Sequence, residues 1–416
     1  MIRVEPSFEI PYARFMSEYP SIIIIGAGPA GTATALELVR QGVPAHSITL
    51  LDRQPFPRDK LCGGAITQRG WAYLARWKVQ LDHVFYSEGM YFSSRGQGQC
   101  LKEPGVLATV DRYELDAVLL QKARSLGVRF QVLQVKAIEQ QASGWLIRGG
   151  DVTLRADYLV GADGVASQVR RALGLPKGRL GHLLEVTVDR PANKRMPQYL
   201  TMDFTSVFQG VQGYCWEFPF VSAKDGKTYL KYGVMDKCGE LSKAKLRDLL
   251  YSYMQQQGID DQPKAEGYPE RYLTKGGHFI FDRAVLVGDA HGVDPWLGEG
   301  LAVAFEQAEY VAGLLAKACK RQAILPVWKN HWFPWTAAGR NHVVLRVIAN
   351  RVYGGHRQFW VRLMTSNKAL AALTRKKRFK GYGRFFGHLV GISWIVIKNA
   401  ARGFYEGRSS TRQSER

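Results

Sequence analysis

Four consecutive isoleucines, Ile22 to Ile25, run into Gly26-Ala27-Gly28-Pro29-Ala30-Gly31. Here residue types and spacing first suggest chemistry. Gly26, Gly28 and Gly31 have the GxGxxG spacing of a loop that grips a dinucleotide pyrophosphate. The first glycine permits a tight turn, the second lets backbone approach the phosphates, and the third lets the following helix pack closely on its strand. A helix opening there would aim unpaired N–H groups and a positive dipole end at the phosphates. Asp52 follows Gly31 by 21 residues, a position where an acid suits a ribose 2′-hydroxyl. Ala30 and Arg53 adjoin these positions and are assigned with them to cofactor binding. The glycine spacing alone does not separate one dinucleotide from another.

These residues need elements to hold them. Residues 21–26 form an apolar, β-branched run that predicts a buried parallel strand. Residues 29–41 predict a helix: Pro29 suits its first turn, Ala30, Ala33, Ala35, Leu36 and Leu38 give it an apolar side, and Gly42 ends it. A second strand over 47–51 closes at Asp52, completing a βαβ unit. Residues 112–126 predict another helix, stopped by Gly127, and 128–160 alternate and turn at Ser143-Gly144 and Gly149-Gly150 as a β-meander would. That run ends in Gly161-Ala162-Asp163-Gly164, ahead of a further helix. From about 181 to 276 the segments lengthen into strand-like runs such as 183–188 and 228–234, predicting a mainly antiparallel unit. Buried-strand character returns at 284–287, and 300–318 is strongly helical.

The fold class expected is therefore α/β. A discontinuous Rossmann-type domain spans 21–85, 106–180 and 277–330. An antiparallel-sheet substrate domain takes 86–105 and 181–276. An N-terminal extension covers 1–20, and a basic helical C-terminal region covers 331–416.

The bulk composition agrees with a folded protein of this size. Apolar residues make up 46% of the 416-residue chain and charged residues 22%, which is ordinary for a globular protein. The five cysteines, Cys62, Cys100, Cys215, Cys238 and Cys319, form no CxxC pair and are odd in number. No disulfide framework and no metal site is expected, and a reducing compartment fits. Residues 1–20 carry no apolar core of a secretory signal, and no stretch reaches the roughly 18 apolar residues of a membrane span. A cytoplasmic protein is expected.

The segments after the glycine loop separate the cofactors. Gly161-Ala162-Asp163-Gly164 with Ser167, Arg170 and Arg171, followed by Gly288-Asp289-Ala290 and residues 295–300, resembles the flavoproteins of the aromatic-hydroxylase type. The resemblance implies FAD. It implies that Asp163 and Gly288 line the cofactor and that Asp289 bonds the ribityl chain. It also implies that the helix opening at Gly298-Glu299-Gly300 points its dipole at the flavin N1–C2 edge, and that Arg112 contacts FAD.

Two further motifs narrow the family. Pro57-Arg58-Asp59-Lys60-Leu61-Cys62-Gly63-Gly64 resembles the PxxKxCGG box of the geranylgeranyl reductase family, and Tyr214-Cys215-Trp216-Glu217-Phe218-Pro219 resembles its YxWxFP box. The resemblance covers roughly residues 20–310. It implies an FAD enzyme that saturates C=C bonds of an isoprenoid chain, with Cys62, Gly63 and Gly64 beside the isoalloxazine. Tyr214, Trp216 and Phe218 alternate and so share one strand face, which suits an apolar prenyl chain. The late segment GDAHGVDP departs from the family: it is one residue shorter before its proline, with His291 at a small-residue position and a bulky Trp296.

An isolated alkene accepts hydride poorly, so the expected route is proton transfer to one carbon with hydride from flavin N5 to the other. That needs a site that excludes water and a buried acid. Cys62, Tyr214 and His291 are the candidates, with Trp216 as the fourth residue assigned to catalysis. His291 also reads as a structural histidine. The rival reading is a monooxygenase or halogenase of the same fold acting on an apolar or aromatic substrate. The halogenase WxWxIP segment is missing, and monooxygenases generally lack the PxxKxCGG box. A non-catalytic flavin-bearing adaptor rests on charge alone. No second dinucleotide fingerprint is present, so NAD(P)H or another external electron donor would bind transiently.

The charge sits at one end. Residues 331–416 hold 17 Lys/Arg against 2 Asp/Glu, which is +15 of the net +21. A polybasic run at 375–380 precedes an apolar stretch at 389–397 that contains Trp394. A basic helix of this kind can lie in an anionic membrane interface, giving peripheral membrane association, or pack on the body with a solvated basic face. No nucleic-acid recognition motif accompanies the charge, so nucleic acid is not an expected partner.

Overall fold

The computed structural model describes residues 19–330, apart from 103–106, 179, 238, 274–276, 295–296 and 329. The expected basic helical region over 331–416, most of the N-terminal extension and Trp296 lie outside the described residues.

A six-stranded sheet runs in the order Ile280–Phe281, Ala284–Leu286, Tyr158–Gly161, Ile22–Ile25, Ile48–Asp52, Arg129–Val132. Every pairing is parallel except the edge hairpin Ile280–Phe281 with Ala284–Leu286. Both faces are covered, which is why all of Ile22 to Ile25 are buried and no apolar–polar alternation was present to read. Helix Pro29–Arg40 packs against the long helix Leu301–Arg321 and against helix Arg112–Ser125. The three-stranded antiparallel sheet Ala137–Gln141, Gly144–Gly149, Val152–Ala156 joins the same core through buried Trp145, whose indole N–H donates to the Arg283 carbonyl at 2.8 Å.

The expected meander over 128–160 needs correction. Only its three middle strands are an antiparallel meander. Arg129–Val132 is the edge strand of the parallel sheet beside Ile48–Asp52, and Tyr158–Gly161 inserts beside Ile22–Ile25. An edge strand that is half exposed alternates like a meander strand, so hydrogen-bond partners, not pattern, decide its sheet.

The second large sheet has seven strands, in the order Glu266–Arg271, Leu180–Asp189, Thr228–Asp236, Cys215–Val221, Leu200–Asp203, Gly89–Ser94, Gln97–Lys102. It is antiparallel except where Leu200–Asp203 meets Gly89–Ser94. Its outer face (Leu184, Val186, Leu230, Tyr232, Val234) is covered by helix Lys243–Gln256 through Leu246, Leu250, Tyr253 and Met254. The strand-like reading of 181–276 missed this helix, although Ser242 caps it by accepting from the Lys245 amide and its apolar residues have helical spacing. The inner face (Met202, Tyr214, Trp216, Phe218, Met235) packs with Leu297 and Val303, at and beyond the start of the long helix. Among the described residues no helix is long and apolar enough to cross a membrane.

The crossing of the glycine loop with the strand Tyr158–Gly161 is the tightest backbone contact in the parallel unit. A Cβ on Gly31 would lie 1.8 Å from the Gly26 carbonyl oxygen, and one on Gly26 2.1 Å from the Ala162 oxygen. Gly31→Ala should therefore destabilise by about 1–3 kcal/mol, seen as a lower thermal midpoint. An unchanged midpoint would show that the loop can move aside.

Candidate functional site

Gly26 adopts φ 101° and its amide donates to the Leu51 carbonyl at 2.7 Å, which turns the chain from strand to helix. Gly28 is the N-cap of helix Pro29–Arg40 and no side chain caps it, so the first-turn amides are available to an anion. A Cβ on Gly28 would meet only the Arg58 guanidinium, at 3.6 Å. Asp52 accepts from the Ala27 amide (3.0 Å) through one oxygen and from the Gln54 amide (3.2 Å) through the other. It therefore braces the glycine loop as well as facing it. Arg53 beside it is exposed.

Arg58 is the residue that sequence reading passed over. Its guanidinium lies 3.9 Å from Asp52 and 3.8 Å from Asp116, and its Nε is buried without a hydrogen-bond partner. An orphaned buried cationic donor beside an uncapped helix end fits a pyrophosphate. Its place inside the Pro57–Gly64 box was the available signal.

Arg112, which opens helix Arg112–Ser125, is buried and forms a two-point pair with Asp116, at 2.6 and 2.8 Å. It acts electrostatically on Lys60, Asp289 and Tyr268, so these side chains form one cluster. The Lys60 ammonium stands 3.0 Å from the Tyr268 ring centroid, and burial, followed by Arg112, pulls its pKa down to about 8. Burial pushes the Asp289 carboxyl upward, against the opposing pull of Lys60, Arg112 and Arg271. Burial raises Glu270 further, and neighbouring Asp289 adds to it. The Gly288 amide donates to the Gln307 side chain at 2.7 Å, fixing the turn that presents Asp289.

Gly298 has φ 70°, and a Cβ there would come 3.1 Å from a Glu270 oxygen. Gly300 caps the long helix with no side-chain hydrogen bond. Glu299 is tied back to Thr67 and, at 2.6 Å, to Arg69, so this helix end is held open. Asp163 follows Ala162 at the glycine loop, its amide nitrogen 2.9 Å from where a Cβ on Gly26 would lie. One of its oxygens accepts from the Gln168 and Val169 amides (2.6 and 3.2 Å) at the start of helix Gln168–Ala172, and the other is buried without a hydrogen-bond partner.

Cys62 and Gly63 lie against the inner face of the seven-stranded sheet, and Gly64 lies against strand Leu107–Val110, where its carbonyl accepts from the Val110 amide at 3.0 Å. A Cβ on Gly63 would meet the Phe218 ring at 3.1 Å and the Trp216 indole nitrogen at 3.5 Å. The Cys62 carbonyl accepts from Lys231 Nζ at 2.7 Å, and its Sγ from the Gly64 amide at 3.4 Å. Tyr214 donates its hydroxyl to the Leu297 carbonyl at 2.5 Å, which leaves it poorly placed to give up a proton elsewhere. The sheet thus brings together Cys62, Gly63 and Trp216 directly. The expectation that His291 could donate a proton needs correction. Its ring is buried and stacked on Phe279 with centroids 4.3 Å apart, and burial pulls its pKa down to about 3. Burial and ring stacking thus disfavour the charged form that a proton-donating imidazolium would need.

The FAD binding domain family model matches residues 19–325. A menaquinone reductase of Mycolicibacterium smegmatis is 26% identical over 324 residues, spanning 72% of this chain and 77% of that protein. A kynurenine 3-monooxygenase of Salinispora arenicola is 26% identical over 364 residues, spanning 76% of each. Among solved structures, a geranylgeranyl bacteriochlorophyll reductase-like protein of Thermoplasma acidophilum superposes with a TM-score of 0.70 at 17% identity, covering 86% of this chain and 96% of that one.

Two outcomes are expected from this geometry. Arg58→Met should weaken FAD binding about tenfold or more, as loss of a charge-assisted contact does; unchanged retention on dialysis would remove Arg58 from the cradle. His291 has a folded-state pKa of about 3 against an ordinary 6.5, so the unfolded chain takes up the proton first. Its contribution is complete above pH 6.5 and is lost as pH falls towards 3. Between pH 7 and 5, His291→Gln should therefore lose about 1–2 kcal/mol less stability than the parent, measured by urea unfolding of both holoproteins. Parallel losses would contradict the buried neutral ring.

Proposed function

Because this chain belongs to the FAD binding domain family and is an FAD flavoprotein, we propose that it is a reductase that saturates C=C bonds of an isoprenoid chain carried on a lipid. The observation that supports this reading best is the seating of Gly63, next to Cys62, against Trp216 and Phe218, on a sheet face whose cluster also holds Met202 and Met235. An apolar face of that kind accepts a prenyl chain and excludes water, which would trap cationic character building on a protonated alkene. A relative that carries the name menaquinone reductase adds support.

FAD, once reduced by NAD(P)H or another external donor, supplies the hydride. The chain's own residues do the rest. The glycine loop and Arg58 would hold the pyrophosphate, and Asp289 would anchor the ribityl chain. The open helix end at Gly300 would offer its positive dipole to the negative charge of a reduced flavin. Cys62 and Trp216 border the reacting bond. In this reading the basic region 331–416 brings the enzyme to an anionic membrane surface, where a prenyl lipid resides.

Hydroxylation of an aromatic substrate is the second reading, favoured by the kynurenine 3-monooxygenase relative. Oxygen separates the two. Under strict anaerobiosis, reduced holoenzyme should be reoxidised by a geranylgeranyl lipid, and the lipid should gain two hydrogens per flavin turned over. Reoxidation that needs O2 and yields a hydroxylated product would overturn the reductase reading.

A further inference from the structure

The inner face of the seven-stranded sheet carries two buried carboxyls that none of the roles above uses, Glu185 and Glu270. In register, Glu185 stands opposite Gly233, and Gly233 stands opposite Trp216. A Cβ on Gly233 would fall 2.0 Å from the Trp216 ring, so the indole lies across the missing side chain towards Glu185. Glu185 is 3% exposed, neither oxygen makes a hydrogen bond of full geometry, and the Cys62 backbone and the Trp216 indole are the polar groups that face it beside Lys231. Lys231 Nζ is 3.8 Å away, but its short hydrogen bond goes to the Cys62 carbonyl at 2.7 Å. The carboxyl is thus held at the loop that borders the reacting bond, beside the aromatic rings of that face.

We propose that Glu185 is the group that delivers the proton to the isoprenoid double bond. This rests on the reductase reading. In the step, reduced flavin gives a hydride to one alkene carbon, and the Glu185 O–H bond breaks to form the C–H bond at the other. The double bond becomes single, the flavin is oxidised by two electrons, and Glu185 is left as a carboxylate. Lys231 then stabilises that carboxylate until solvent reprotonates it as product leaves.

Burial raises the Glu185 pKa, and the charged groups that act on it, Lys231 from the neighbouring strand and Lys60 from the loop, oppose that rise. Burial thus favours the neutral acid, and a cation stands ready for its conjugate base, as a general acid requires. Glu270, the other buried carboxyl on this face, does not meet that requirement. Burial first, then Asp289, Cys62 and Asp294, disfavour its ionisation, and only a hydrogen bond from Tyr272 opposes them, so it has no cation to receive its conjugate base.

The test compares Glu185→Gln with the parent holoenzyme. In anaerobic single-turnover reoxidation by a geranylgeranyl lipid, E185Q should be slowed about 100-fold or more, with FAD content and flavin spectrum unchanged. Infrared difference spectra at neutral pH should show a protonated-carboxyl stretch in the parent that is missing from E185Q. If E185Q does not fold, the same band should shift in Glu185→Asp. A parent that reacts with the lipid and an E185Q that reacts equally fast would overturn the proposal, as would a parent spectrum with no Glu185 carboxyl band. A parent that no prenyl lipid reoxidises but that still shows the band would instead sink the reductase reading.

Discussion

The close approach of three pieces of backbone organises the rest of the molecule. Gly26, Gly31 and Ala162 meet where no Cβ fits. This contact locks the first strand, the helix after it and the end of Tyr158–Gly161 into one rigid corner. The corner sets the direction of the helix end that receives phosphate, and Asp52 braces it from the neighbouring strand. Elements far apart in the chain then pack on it. The long helix Leu301–Arg321 lies against Pro29–Arg40, which brings Gly298 and Gly300 to the same side as the glycine loop.

Charge follows from that placement. Asp52, Arg58, Asp116 and Arg112 form a chain of ion pairs from the glycine loop to the opening of helix Arg112–Ser125. Asp116 is fully buried, and a buried carboxylate without its arginines would be strongly destabilising. The network is therefore a structural necessity that also leaves Arg58 Nε unsatisfied, open to a ligand. Lys60, Asp289, Tyr268 and Glu270 extend it towards the sheet, and their shifted pKa values share one cause, removal from water.

The seven-stranded sheet divides its work between its faces. The outer face is ordinary core under helix Lys243–Gln256. The inner face uses glycine to make room for aromatic rings: Gly233 beneath Trp216, and Gly63 against Trp216 and Phe218. Glu185 and Lys231 share that inner face, and Lys231 ties it to the Cys62 carbonyl. The loop of one unit is thereby fastened to the sheet of the other, with the Asp59–Lys224 ion pair and the Lys60–Tyr268 contact beside that hydrogen bond.

The sequence by itself determined the dinucleotide loop, the βαβ unit and, through two short boxes, the loop and the strand that carry the candidate site. Those signals are local, because glycine spacing, strand alternation and helix periodicity each report on a few neighbouring residues. Tertiary structure alone decided the sheet membership of Arg129–Val132, the neutral state of His291 stacked on Phe279, and the meeting of Arg58, Asp52 and Asp116. It alone set Glu185 beside Cys62, more than a hundred residues away in the chain. The reason is the same in each case: burial and charge depend on neighbours in space, and no residue carries in its own short stretch of sequence the dielectric in which it will sit.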